Sequence, residues 1–193
     1  IFSSTGGAIY GPAEVIPTPE SAECKPSSPY ALSKWAAERY IDLYQQLHKL
    51  PCTVLRYSNV YGPGQDGSKE SGVIAIFTKL AMAGKPLTIF GDGEQTRDFV
   101  YVDDVVAANL KALESKENCV VNIATGVETS INQLTDVLQN AVGTPLVVNH
   151  AAARLGEERR SCLDASLAKQ KLGWQPTYDL ASGLKSTIDA LSV

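Results

Sequence analysis

Tyr30 and Lys34 stand four residues apart in the stretch Tyr30-Ala-Leu-Ser-Lys34. On a helix that spacing puts both side chains on one face. An ammonium beside a phenol favours the phenolate, and a phenolate can take the proton of a sugar hydroxyl while hydride leaves the same carbon. The pair alone is a weak signal, because a tyrosine and a lysine on a solvated helix face have the same spacing. Three neighbours strengthen it. Ser3-Ser4-Thr5 ends a β-rich opening, Ser28-Pro29 leads into the pair, and Arg56-Tyr57-Ser58-Asn59 ends the next β-rich run. Open α/β sheets bind ligands at the carboxyl ends of their strands, and a Ser or Thr hydroxyl there can relay a proton.

The elements that must position these groups follow from periodicity and punctuation. Residues 1–4 predict a strand end, followed by a turn through Gly6-Gly7. Four prolines make 14–29 a loop. The 3–4-residue recurrence among Ala31, Trp35, Ala36, Tyr40, Leu43, Tyr44 and Leu47 predicts a helix over 30–47, capped by Ser27 or Ser28 with Pro29 in its first turn. A strand is expected over 52–57, a polar glycine-rich loop over 59–72, and a helix over 73–83 stopped by Gly84. Strands over 87–90 and 99–102 precede a helix capped by Asp103 and running to 114. A strand over 119–123, a helix over 130–141 capped by Thr129 or Ser130, a strand over 146–148, a short helix from Asp164 to Leu172 and a last helix over 178–191 complete the chain. Strands alternating with helices mean an α/β protein.

Composition narrows the chemistry. The 193 residues carry 17 basic and 21 acidic side chains, a net charge of −4, which argues against nucleic-acid binding and against a polyanionic membrane surface. No run approaches the roughly 20 apolar residues of a membrane span. Cys24, Cys52, Cys119 and Cys162 form no Cys-x-x-Cys pair, and His48 and His150 form no His-Glu-x-x-His pattern, so no metal site is expected. Reduced thiols and a cytoplasmic location are the expectation. The opening Ile1-Phe2-Ser3-Ser4, without an initiator Met, reads as strand interior and suggests a piece of a longer protein.

One motif fits in letters and fails in context. Gly62-Pro-Gly64-Gln-Asp-Gly67 matches G-x-G-x-x-G after a strand. A dinucleotide needs a helix N-terminus directly behind the glycines. Here Ser68-Lys-Glu-Ser71 intervenes and Asp66 sets a negative charge beside the phosphates. A mobile glycine loop is the better reading.

Six segments then carry a resemblance. They are Phe2-Ser-Ser-Thr-Gly-Gly-Ala-Ile-Tyr-Gly11, Ser28-Pro-Tyr-Ala-Leu-Ser-Lys34, Leu55-Arg-Tyr-Ser-Asn-Val-Tyr-Gly-Pro63, Ile89-Phe-Gly-Asp-Gly-Glu-Gln-Thr-Arg-Asp-Phe-Val-Tyr-Val-Asp-Asp104, Asn122-Ile-Ala-Thr-Gly126 and Gly173-Trp-Gln-Pro176. In this order the chain resembles the C-terminal part of an extended short-chain dehydrogenase/reductase, of the NAD-dependent nucleotide-sugar epimerase kind. The resemblance implies the end of a Rossmann-type doubly wound parallel sheet plus a small α/β nucleotide-sugar lobe, with the N-terminal NAD-binding βαβ units missing. Residues 1–66 would be a remnant of the Rossmann domain with the Tyr-Lys helix. Residues 67–193 would be mostly substrate lobe, with 88–125 partly returning to the Rossmann sheet.

The resemblance also implies roles. Tyr30 would be the general base, Lys34 would hold the nicotinamide ribose and tune Tyr30, and Thr5 would relay the proton. Ser3, Ser4, Tyr57 and Ser58 would face NAD. Asn59 would meet the UDP-sugar, and Gly72 and Val73 would line the uracil. Arg97 and Arg154 would clamp the diphosphate, which suits the bidentate guanidinium. Glu157 would hold the uridine ribose, and Phe99 would form a wall of the site. Read without the resemblance, Arg97 could pair with Asp98 at the surface, and Arg154 and Glu157 could belong to a solvated loop. Val73 and Phe99 could be plain core, and Thr5 and Asn59 turn residues.

Dehydratases of this family follow the Thr with an Asp-Glu pair; here Gly6-Gly7 follows, and glycine transfers no proton. The reading is therefore a 4-epimerase acting on UDP-glucose and UDP-galactose. A dehydratase, a decarboxylase or a catalytically silent nucleotide-sugar-binding piece are the alternatives. Ser161 takes the position that gates the sugar pocket in 4-epimerases, and its small size would admit an N-acetyl group. The intact protein is expected to be a homodimer, paired through the 30–47 helix and a neighbour.

Overall fold

The computed structural model describes residues 1–68, 71–115, 117–154, 156 and 158–191. Three parallel strands form the main sheet: β1 (Phe2–Thr5), β2 (Thr53–Tyr57) and β7 (Cys119–Ile123), in the order β1-β2-β7. Thr5 lies opposite Tyr57, and Tyr57 opposite Ile123, so all three strands end at one level. Thr53, Val54, Leu55 and Arg56 are buried, as expected for a parallel strand covered on both faces.

Helix α1 (Gly6–Ile9) turns off β1, and α2 (Pro29–His48) follows the proline-rich loop. Ser28 caps α2 by accepting from the Ala31 amide at 3.1 Å, and Pro29 supplies the pre-set first φ. The helix stops at Lys49, which takes a left-handed φ of 55° two residues before Pro51.

Three two-stranded sheets build the rest. Strand β3 (Asn59–Tyr61) runs parallel to β6 (Phe99–Tyr101), β4 (Leu87–Phe90) parallel to β9 (Val148–Ala151), and β5 (Thr96–Arg97) antiparallel to β8 (Thr129–Ser130). Helices α3 (Val73–Met82), α5 (Ile131–Val142) and α7 (Leu180–Leu191) pack around a core of Phe77, Leu87, Ile89, Phe99, Tyr101, Leu134, Leu138 and Leu184. Helices α4 (Val102–Ser115) and α6 (Ser166–Leu172) close a second core with Leu55, Val121, Ile123 and Trp174.

Several expectations need correction. Residues 59–61, expected as loop, are a strand, because pairing with β6 supplies the ladder that three residues cannot signal alone. Asp103 does not cap α4: the helix begins at Val102, and Asp103 lies in its first turn, facing the positive end of the dipole. The strand expected over 146–148 lies at 148–151, since β4 sets the register from Leu87↔Val148 to Phe90↔Ala151. The short helix begins at Ser166, with the Asp164 carboxylate accepting from the Ser166 amide at 2.8 Å. Helix α7 begins at Leu180 rather than 178. Gly6 and Gly7 open α1 rather than a simple turn. Within 88–125, β7 pairs with β2 of the main sheet and β4 pairs with β9.

Candidate active site

The carboxyl ends of β1 and β2, the start of α2, the β3–β6 pair and the N-terminus of α3 surround a cleft of about 370 Å³. Its walls include Ser4, Thr5, Tyr30, Tyr57, Ser58, Asn59, Gly72, Val73 and Phe99, all singled out from the sequence, together with Gly7, Ala8, Val60, Tyr61, Gln65 and Ile74. The parallel register explains the gathering: strands that end level deliver the residues following them to one edge.

Tyr30 opens into the cleft with 56% of its surface exposed. Lys34 lies one turn further along α2. Its ammonium donates to the Ser3 carbonyl at 3.0 Å and lies 5.3 Å from the centre of the Phe2 ring and 6.0 Å from that of Tyr30. The Ser3 hydroxyl shares a 3.2 Å hydrogen bond with the Tyr57 hydroxyl, to which Asn109 of α4 donates at 2.9 Å. Thr5 is buried and caps α1 by position, without a side-chain cap bond.

Ser4 lines the cleft, but its hydroxyl points elsewhere, donating to Glu38 Oε1 at 2.5 Å. The Ser58 hydroxyl donates to Asp98 Oδ1 at 3.3 Å, and the Asn59 amide donates to the Asp98 carbonyl at 2.9 Å. The possible surface pairing of Asp98 is overturned. Asp98 is 1% exposed and its carboxylate accepts from the Thr125 hydroxyl and amide and from the Gly126 and Leu163 amides. The Cys162 thiol donates to it at 3.6 Å; burial, and then the charge of Asp98, push that thiol up to about 12.

The other predicted residues lie outside the walls of this cleft. Arg97 on β5 donates to the Thr96 and Glu158 carbonyls at 2.7 and 2.9 Å. Arg154 stacks its guanidinium 4.0 Å from the centre of the Phe90 ring. Ser161 is buried beside Cys162. Glu157 lies outside the described residues. A second, larger cleft of about 900 Å³ lies between residues 12–16 and Gly156, Glu158, Arg159 and Arg160. Each of these arginines is tied to a carboxylate, Asp92 at 2.7 Å and Glu128 at 2.5 Å.

Sequence reasoning did not assign the groups beneath the site. Arg56, read as part of a strand end, is 4% exposed, and its guanidinium donates to Glu38 through Nε and Nη2 and to the Tyr10 hydroxyl through Nη1. Burial pushes the Tyr10 phenol up to about 12 against the pull of Arg56. Asn109 and Gln65 were missed too. The one available signal was a charged Glu38 four residues beyond Lys34, on the face that must meet the sheet.

Parallel strands ending level, a crossing helix that offers Tyr and Lys at i and i+4, and hydroxyls at the strand ends define a Rossmann-like α/β protein of the short-chain dehydrogenase/reductase class. Residues 1–124 match the model of the NAD dependent epimerase/dehydratase family. The chain is 43% identical over 190 residues to the UDP-glucose 4-epimerase of Mycolicibacterium smegmatis, which covers 98% of this chain and 61% of that protein. It superposes with a TM-score of 0.96 and 48% identity on the UDP-glucose 4-epimerase of Thermotoga maritima, solved with UDP-glucose, covering 99% of this chain and 62% of that one. A UDP-N-acetylglucosamine 4-epimerase from Methanobrevibacter ruminantium, in complex with UDP-N-acetylmuramic acid, matches with a TM-score of 0.94 at 33% identity, over 99% of this chain and 62% of that one. The chain belongs to the NAD dependent epimerase/dehydratase family. It spans about three fifths of the length of these relatives.

Proposed function

We propose that the protein is a nucleotide-sugar 4-epimerase that interconverts UDP-glucose and UDP-galactose. The observation that carries this reading is the exposed Tyr30 phenol opening into a cleft shared with Thr5, Ser58 and Asn59, one helical turn from a Lys34 held by the Ser3 carbonyl. Tyr30 takes the proton of the sugar hydroxyl, with Thr5 placed to relay it, and returns it after the ketone has turned its other face. Gly6 and Gly7 bring no carboxyl to the cleft, and a side chain at Gly6 would meet Leu163 and stand 3.2 Å from the Arg56 carbonyl oxygen. This favours epimerisation over water elimination.

The residues present fit the nicotinamide end of NAD: the Lys34 ammonium and the Ser3 and Tyr57 hydroxyls form a compact set of donors linked by hydrogen bonds. NAD held there would supply the acceptor and donor of the hydride exchanged with the sugar carbon. Arg97 and Arg154 are assigned to the diphosphate, Glu157 to the uridine ribose, Gly72, Val73 and Phe99 to the nucleotide side, and Ser161 to the sugar pocket. Tyr40, Leu43, Tyr44 and Leu47 lie exposed on α2, which supports pairing of that helix with a second copy. Among the described residues no helix is long and apolar enough to cross a membrane.

The test is a coupled assay of UDP-galactose conversion by the protein expressed from its complete reading frame, with NAD supplied. Conversion by the wild type and its loss by about 10²–10⁴-fold in Y30F is the expected result. Binding of UDP-glucose without conversion would support the silent-binding alternative.

A further inference from the structure

Helix α2 carries Tyr30 and Lys34, yet in its 20 residues only Ala31 and Glu38 are buried. Apolar packing is non-directional: besides Ala31, the half-buried Trp35 of α2 packs against Ile9, Tyr10, Ala124 and Leu163, and such contacts fix a helix's rotation loosely. Glu38 is different. It is 2% exposed and accepts from Arg56 through three contacts: Nε to Oε1 at 3.0 Å, Nε to Oε2 at 3.2 Å and Nη2 to Oε2 at 2.6 Å. A guanidinium–carboxylate fork fixes angle as well as distance. Ser4 of β1 adds a second partner at 2.5 Å. Arg56 is itself held by the Tyr10 hydroxyl, which donates on to Asn122 of β7 at 2.9 Å. Asn122 in turn donates to the Thr18 and Asp164 carbonyls and to the Glu20 carboxylate.

From this geometry we infer that Glu38 and Arg56 are positioning residues, which set the rotation of α2 and with it the aim of Tyr30 into the cleft and of Lys34 onto the Ser3 carbonyl. The inference rests on the epimerase reading above. Tyr30, Lys34 and Glu38 fall at i, i+4 and i+8, on one stripe of the helix. A turn of about 20° about the axis carries an outer side-chain atom by about 2 Å, and misplacement by about 1 Å at a reacting centre can cost on the order of 10²-fold. The fork is therefore worth more to turnover than to the mere presence of the helix, which has its own cap at Ser28.

The test compares wild type with E38Q, which keeps the shape and loses the charge, in the protein expressed from its complete reading frame. Turnover lowered roughly tenfold or more, with KM for UDP-galactose unchanged within about twofold, is the expected result. An independent readout uses fluorotyrosine labelling, with the Tyr30 resonance assigned through Y30F. In E38Q the Tyr30 resonance should move while that of Tyr101, buried in the core beside α7 and away from the cleft walls, stays. Should E38Q not fold, S4A carries the same test, since it removes one bond and leaves no charge alone. Unchanged turnover and an unchanged Tyr30 resonance would overturn the inference. So would a loss of turnover that only follows the folded fraction. If the wild type converts no sugar, the epimerase reading fails by itself, and the Tyr30 resonance still decides whether Glu38 aims the helix.

Discussion

The Lys34 ammonium donates to the backbone carbonyl of Ser3, 3.0 Å away, so the first turns of α2 are tied to the end of β1. Ser3 also shares its hydroxyl with Tyr57, and one strand residue thereby links the lysine of the helix to the tyrosine of the next strand. Lys34→Met removes the tie and the charge together. Turnover of UDP-galactose should fall by about 10²–10⁴-fold, with the circular dichroism spectrum unchanged because Ser28 still caps the helix.

Ser161 is buried next to Cys162. Ser161→Tyr should lower conversion of UDP-N-acetylglucosamine relative to UDP-glucose by about 10-fold or more, since steric exclusion of a small group is worth about 1–3 kcal/mol. Assaying both sugars on both proteins checks it; an unchanged ratio would remove Ser161 from the sugar pocket.

Gly183 lies in α7 with its Cα against two buried rings. An added methyl would meet the Tyr61 hydroxyl and lie 2.8 Å from Tyr61 Cζ and 3.1 Å from Tyr101 Cδ2. The rings pack edge to face with centres 5.5 Å apart and cannot withdraw without opening the core. Gly183→Ala gains about 1 kcal/mol of helix propensity but overpacks the core by about 1–3 kcal/mol. The thermal midpoint should fall by a few degrees, and a rise would mean that Tyr61 yields.

Cys162 gives the folded state a pH dependence. Burial, reinforced by the Asp98 carboxylate, raises its thiol from 9.0 to about 12. Between those values the unfolded chain has lost a proton that the folded chain keeps. Stability from this group is therefore full below about pH 9 and declines as pH rises toward about 12. The urea midpoint of wild type should drop more steeply than that of C162A from about pH 8 to about pH 10. Parallel curves would show that the Cys162 thiol titrates alike in both states.

The strands at 2–5, 53–57, 87–90 and 119–123, the capped helices at 29–48 and 131–142, and the Tyr30–Lys34 face were legible from the sequence because their causes are local. Ser28, Pro29, Ser130, Gly84 and Gly173 act on the turn they adjoin, and apolar period reports which face is buried. Short strands such as β3, β5 and β8 were hidden, since two or three residues become a strand only when a distant ladder accepts them. Burial of charge was hidden for a related reason. Arg56 and Asp98 look like surface residues by type, and only the converging partners offered by α2, β7 and the 162–164 segment make their burial tolerable. The sequence by itself determined which residues could do chemistry and which helix presents them. The tertiary structure decided where that helix points, because its orientation is set by Glu38, Arg56 and Ser4, three residues that meet only when the sheet is assembled.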